Sequence, residues 1–155
     1  MNSFQPHITV ATLVEKDGRF LLVHEVAGGE KVINQPAGHV EAGESLIQAA
    51  CRETLEETAW RVEVTAFTGV YVYQPRPGAG VYYRFCFAAQ PLGHDRHQKL
   101  DDGIIEALWL DRDTIAARRD SLRSPLVERC IDDYLAGRRL PLDTLYQHPW
   151  PLQKG

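Results

Sequence analysis

Residues 38–60 read GHVEAGESLIQAACRETLEETAW. Three of the five glutamates in this stretch, Glu53, Glu56 and Glu57, fall within five positions. On a helix, like charges at that spacing repel. Ser45 followed by Gln48 has the spacing of a capping box, and residues 45–58 have helix composition, so a helix is predicted there. At about 100° per residue, Glu53, Glu56 and Glu57 share one sector. Ile47, Ala50, Cys51, Thr54 and Leu55 take the opposite side. The pattern predicts an apolar back, an acidic front, and Ala49 leaving room near that front.

A solvated charged face is the plain reading of such a pattern, with Arg52 and Glu56 as an ordinary i,i+4 pair. Three features oppose it. No Lys or Arg follows one turn on to offset the glutamates, the preceding loop carries Gly38 and Gly43, and it adds Glu41 and Glu44. Convergent carboxylates beside a backbone carbonyl form the hard oxygen donor set that Mg²⁺ or Mn²⁺ prefers. A divalent cation, rather than an arginine, is therefore expected to neutralise them.

Around the helix the chain reads mostly as strands. Residues 7–14 and 19–25 form a hairpin about Asp17-Gly18, and 32–35 is a short strand stopped by Pro36. Residues 37–44 read as loop. Residues 62–73 form a strand broken near Gly69. In 81–89, Tyr83, Phe85 and Phe87 face one way and Tyr82, Arg84 and Cys86 the other. Residues 91–103 read as a polar loop and 104–110 as a strand. A short helix is expected over 112–119. Another begins at Ser124-Pro125, with Ser as N-cap and Pro at the first helical position, and stops at Gly137. The tail, with Pro141, Pro149 and Pro151, reads as irregular, with Trp150 packed back on the body. Strands first, one helix between them and helices last predict an α/β/α sandwich around a mixed sheet.

The 155 residues predict one domain over 1–155, with core enough to fold without staples. A net charge of −4 with no long basic run argues against a nucleic-acid polymer as partner. An acidic protein acting on anions needs a metal ion between the like charges. Cys51, Cys86 and Cys130 are odd in number and far apart, so they read as small buried hydrophobes in a reduced, cytoplasmic compartment. The opening MNSFQPHITV has neither the charged nor the apolar region of a signal peptide, and no apolar run is long enough for a membrane span.

Gly38, five residues, Glu44, seven residues, Arg52-Glu53, two residues, Glu56-Glu57: this spacing resembles the Nudix box, G-x5-E-x7-R-E-U-x-E-E-x-G-U, at six defining positions. Two positions depart. The family's late Gly is Ala59, and its last aliphatic is Trp60. Neither supplies a ligand. A Gly there permits a left-handed helix end; an Ala costs about 1 kcal/mol in that conformation, or else the helix ends differently. The flanks NQPAGHVEAGE, YYRFCFA, LRSPLV and the final Pro-Trp-Pro are similar to a phosphatase branch of the same family.

The resemblance implies metal-dependent hydrolysis of a phosphoric anhydride. It implies Glu53, Glu56 and Glu57 as ligands of Mg²⁺ (or Mn²⁺), directly or through water, with the Gly38 carbonyl as a further ligand. It implies an Arg52–Glu44 pair tying loop to helix, and Glu53 or Glu57 orienting or deprotonating the water. The acids Asp101, Asp102 and Glu106 are further bases or ligands by analogy, or else a solvated loop, and Glu41 is similarly open. The phosphatase branch implies nucleoside tri- and diphosphates and the thiamine-pathway pyrimidine diphosphate as small-molecule substrates, with orthophosphate released. The alternatives are a pyrophosphatase for ADP-ribose or oxidised nucleotides, and a non-catalytic nucleotide-sensing module. The chain is expected to be a monomer or homodimer with no membrane partner.

Four residues outside the box are read as substrate-binding. Arg84 sits mid-strand among aromatics, and a buried Arg needs an anion, from substrate phosphate or an internal Glu. Tyr82 shares its face and can stack on a ring. Asn34 and Gln35 precede Pro36 and are placed to meet substrate. Arg123 is assigned to solvent, and the six histidines to structure or surface.

Overall fold

The computed structural model describes residues 3–150; Pro151 of the Pro-Trp-Pro segment and the first two residues of the leader reading lie outside them. Strands β1 (His7–Lys16) and β2 (Arg19–Ala27) form the predicted hairpin. Its turn residues Asp17 and Gly18 both have positive φ, 52° and 74°, as a two-residue turn between right-twisted strands requires. The strands then diverge. Beyond the turn, β2 pairs antiparallel with β3 (Glu30–Asn34) and β7 (Ile104–Asp111). Strand β1 runs parallel to β6 (Tyr82–His94), and β6 pairs antiparallel with β5 (Trp60–Tyr73). The sheet is therefore mixed, with order β3-β2-β1-β6-β5, and with β4 (Ala37–His39) and β7 branching from β1 and β2.

Two side-chain sets fill the faces. Ala11, Leu13, Phe20, Leu22 and Cys86 pack with Ile115 of α2 (Arg112–Ala117) and with Val127, Cys130 and Ile131 of α3 (Leu126–Leu135). Val10, Val14, Leu21, Phe67 and Phe87 pack with Ala49 and Ala50 of α1 (Leu46–Thr58) on the other face. The predicted α/β/α sandwich is what forms. Phe87 and Cys86 separate onto the two faces as their alternation requires.

Several boundaries differ from the sequence reading. Ala37–His39, read as loop, is strand β4, paired with β1 through Ala37↔Ala11, Gly38↔Val10 and His39↔Thr9. Three residues carry too little periodicity to show a strand. Residues 91–94, read as loop, extend β6, because Trp60, Arg61 and Val62 of β5 pair with them. Gly69 (φ 146°) marks a register shift in β5 rather than a break. Helix α2 stops at Ala117, and a separate 3₁₀ turn covers Arg119–Ser121. Ser124 Oγ accepts from Leu126 N at 3.2 Å, so it caps α3 from one residue further out than the helix boundary. Gly137 follows α3 at φ 96°.

Candidate active site

Helix α1 begins with a complete capping box: Gln48 N donates to Ser45 Oγ at 3.0 Å, and Ser45 N to Gln48 Oε1 at 2.7 Å. It ends on Ala59 in the left-handed conformation (φ 62°, ψ 14°), whose N–H donates to the Leu55 carbonyl. The backbone thus keeps the geometry a glycine would adopt freely and accepts the side-chain strain. Trp60 starts β5 and packs edge-on against Trp109, with ring centroids 5.5 Å apart.

The helical wheel misplaced the buried face. Ala49, Ala50, Thr54, Glu57 and Thr58 are buried, whereas Ile47 is exposed. Ala49 is fully enclosed in the core and leaves no room beside the glutamates. Thr54 sits in the sheet contact through a 2.8 Å hydroxyl bond to Thr12. The glutamate side of the helix lies against β4, with Glu53 beside Gly38 and Glu57 on the Ala37 N–H, a contact set by the fold and not by periodicity.

Gly38 of β4 faces Glu53 so closely that a Cβ would overlap the Glu53 carboxyl group. A side chain at this position would push the Glu53 carboxyl group from its place. Glu57 reaches the same strand, where its Oε1 accepts from Ala37 N at 2.8 Å.

Arg52 is the hub. It binds Glu44 twice, Nε to Oε2 at 2.9 Å and Nη2 to Oε1 at 2.6 Å, a bidentate geometry that fixes both planes. Its Nη2 also donates to the His39 carbonyl at 3.0 Å, joining helix, loop and β4. Nη1 reaches Glu53 at 2.8 Å and Glu56 at 3.2 Å. The expected Arg52–Glu56 pair forms, and the same guanidinium also meets Glu53, while Glu57 has no arginine. One guanidinium faces Glu44, Glu53 and Glu56, so the negative charge remains in excess.

The electrostatics record that excess. Burial is the main cause pushing Glu57 up to about 8, with the charges of Glu25, Glu53 and Asp101 adding and the Ala37 N–H opposing. Burial also raises Glu53, against the pull of Arg52. Glu44 is lowered, chiefly by its Arg52 hydrogen bonds. Carboxylates disfavoured as anions in their own protein are the donors a cation stabilises.

Among the described residues, Glu53, Glu56 and Asp101 bring carboxylate oxygens within 4.8 Å of one another. Asp101 is thus drawn from the loop acids into the cluster, held by its N–H bond to the Glu56 carbonyl at 3.0 Å. Glu57 stands beside this trio, turned toward Ala37. Asp102 and Glu106 are elsewhere: Asp102 is exposed near Lys99, and Glu106 lies 3.8 Å from His24. Glu41 is exposed, 3.7 Å from Arg52. Three hard carboxylates, two of them on one helix turn, fit a divalent cation.

The other singled-out residues lie around β1, β2 and β6. Arg84 is buried at 8% exposure, and among the described residues it makes no ion pair; its Nη1 donates to the neutral Gln35 Oε1 at 2.9 Å. Gln35 is fully enclosed, its Nε2 directed to the Thr12 carbonyl and the Cys86 sulfur. It braces Arg84 from behind and presents no surface to a ligand. Asn34 is buried, with its Oδ1 taken by Gln35 N and its Nδ2 3.4 Å from Glu25. Arg123, assigned to solvent, in fact meets Glu25 at 3.4 Å, and its N–H donates to the Ile33 carbonyl. No sequence spacing links residues 25 and 123. Tyr82 is half-buried and stacked on His7 (4.6 Å, 15°), while His7 Nδ1 lies 3.1 Å from His39 Nε2. The three cysteines are free, with Cys86 and Cys130 buried and Cys51 partly so.

This arrangement is a hydrolase site of the Nudix kind, and the chain belongs to that family: the NUDIX domain model matches residues 3–130. It is 38% identical over 152 residues to Phosphatase NudJ of Escherichia coli strain K12, covering 98% of each chain. The same holds for Phosphatase NudJ of Shigella boydii, at 38% over 152 residues. Among solved structures, a NUDIX hydrolase from Nitrosomonas europaea is 44% identical, with a TM-score of 0.90 over 94% of this chain and 99% of that one. The chain is thus a Nudix hydrolase, an enzyme acting on phosphoric anhydrides. Among the described residues no helix is long and apolar enough to cross a membrane.

Proposed function

We propose that this enzyme is a Mg²⁺-dependent phosphatase that removes the terminal phosphate of nucleoside tri- and diphosphates and of a thiamine-pathway pyrimidine diphosphate, releasing orthophosphate. The reading takes the whole 155-residue chain as one catalytic domain working in the cytoplasm, as a monomer or homodimer. The observation that carries it is a pairing of opposites. A carboxylate cluster has too little cation, and a buried Arg84 has no carboxylate. A divalent ion bound with a phosphate anion satisfies both. The likeness to proteins named Phosphatase NudJ favours phosphatase over pyrophosphatase chemistry.

Glu53, Glu56 and Asp101 would hold the ion, with Glu57 and the Gly38 carbonyl reaching it directly or through water; Mn²⁺ suits the same oxygens. When bound, the ion offsets phosphate charge and lowers the pKa of a water. Arg52 and Glu44 keep Glu53 in place. Arg84, braced by Gln35, meets the non-bridging oxygens of the substrate. Tyr82, backed by His7, offers its free face to a base or pyrimidine ring. A water oxygen attacks the terminal phosphorus, the anhydride P–O bond breaks toward the leaving phosphate, and Glu53 or Glu57 takes the water proton.

The test is phosphate release with Mg²⁺ and with EDTA from UTP, CDP, thiamine diphosphate, the pyrimidine diphosphate, ADP-ribose and oxidised dGTP. Metal-dependent orthophosphate from the first four is expected. AMP from ADP-ribose, or pyrophosphate from a triphosphate, would replace this reading with the pyrophosphatase one. Binding without turnover of any of them would favour a sensing module.

A further inference from the structure

The C-terminal tail is tied to the catalytic loop. Leu140 exchanges two backbone hydrogen bonds with Phe67 of β5, at 2.8 and 2.9 Å, which starts the tail along the sheet. Leu142 and Leu145 then pack on the core that includes Ala49 and Ala50 of α1. Beyond them the chain reaches the loop that leads into α1. Gln147 Oε1 accepts from Leu46 N at 3.1 Å, and its Nε2 donates to the Glu44 carbonyl at 3.4 Å. Trp150 Nε1 donates to the same carbonyl at 3.0 Å.

These partners are specific. Leu46 N belongs to the first turn of α1, where helix N–H groups lack an internal acceptor. Glu44 is gripped from both ends: Arg52 holds its carboxylate, and the tail holds its carbonyl. Glu44 Oε1 also accepts from Glu41 N at 2.7 Å, so the loop closes on this one residue. Gln147 and Trp150 are exposed, and exposed hydrogen bonds contribute little to overall stability. Their effect is on position.

We propose that Gln147 and Trp150 are positioning residues for catalysis, a strap that holds Glu44 so that Arg52 orients Glu53 and Glu56. The role rests on the phosphohydrolase reading above. Loosening the strap leaves the substrate contacts at Arg84 and Tyr82 intact and slackens the carboxylate geometry. The loss then falls on kcat and spares KM.

The test is the double variant Gln147→Ala/Trp150→Phe of the whole 155-residue chain, with Tyr146→Phe as control, since among the described residues the exposed Tyr146 hydroxyl bonds only to His148. Turnover, Tm and amide hydrogen exchange are measured together. The double variant is expected to lose about tenfold in kcat, in the range that removing outer support from a site costs. KM and Tm should hold, and exchange should quicken only in residues 40–48. Unchanged kcat and exchange would overturn the proposal. So would a fall in Tm with faster exchange across the sheet, which marks a plain structural anchor. Should the wild type hydrolyse no substrate, the phosphohydrolase reading fails by itself, and local exchange in 40–48 alone decides whether the strap exists.

Discussion

Two charged networks in this molecule use the same residue types and reach opposite states. On α2 and α3, Arg112 and Arg119 grip Glu128 and Asp132, two cations for two anions. Glu128 is drawn down to about 2, chiefly by its hydrogen bond from Arg119. On α1, Arg52 alone faces Glu44, Glu53 and Glu56, while Glu57 has only a backbone N–H, and burial pushes it up to about 8. The first network balances its charge within the protein, although Arg112 Nη1 is buried without a hydrogen-bond partner among the described residues. The second leaves its carboxylates in surplus. The difference separates a structural ion-pair cluster from a site whose charge awaits a ligand. Arg84 is the mirror case, a buried guanidinium braced by an amide and lacking an anion.

The comparison breaks most readily at the carboxylates. Glu57→Gln should cost about a thousandfold in metal-dependent turnover, since charge stabilisation at the reacting phosphate is the main source of rate in such chemistry. Glu128→Gln should leave turnover within about twofold, because it removes an ion pair remote from the site. Phosphate release by the two variants side by side checks both; full turnover in Glu57→Gln would abolish the contrast. Arg84→Met should come next. Removing a phosphate contact should raise KM about tenfold or more, read from initial rates over a substrate series.

Proton linkage distinguishes the same networks without any substrate. Glu57 is raised from 4.5 to about 8 in the folded chain, so between those values the folded state binds more protons than the unfolded one. Stability without metal should therefore fall as pH rises through that window. Added Mg²⁺ should restore it, most strongly at the alkaline end. Glu128 has the opposite sign. Its folded value lies below 4.5, so its contribution is present above that pH and is lost as pH falls toward about 2. Urea midpoints from pH 4 to 9, with and without Mg²⁺, measure the first effect. A midpoint independent of both would show that Glu57 is not held in surplus. The smallest expected effect lies at the end of the acidic helix. Ala59→Gly should add about 1 kcal/mol of stability, by relieving the left-handed side-chain strain, with kcat unchanged.

Legibility varied with how local each cause was. The capping box, the Asp17-Gly18 turn and the strand pattern around Phe87 act over a few residues, and the chain displays them as predicted. The six box positions sit in one continuous segment of short strand, loop and helix, so their spacing was readable as chemistry. What was missed depended on distant partners. Strand β4 exists because β1 pairs with it, and residues 91–94 are strand because β5 is opposite. The face that α1 buries, with Ala49 inside and Ile47 outside, follows from its packing against β1 and β4. Arg123 meets Glu25 across 98 positions, and Asp101 joins Glu53 and Glu56 from a different loop.

By itself, then, the sequence determined the class of chemistry, because the acids of the box, their arginine and their glycine are neighbours along the chain. The spacing also implied a glycine at 38, and the structure supplies the reason, the Glu53 carboxyl pressed against its Cα. Only the tertiary structure decided which carboxylates converge, which one stands apart at Ala37, and what lies behind Arg84. It alone brought the tail onto Glu44. Those outcomes depend on which strands pair and how the helix packs. They are set by burial summed over the whole core, a quantity that no short stretch of sequence contains.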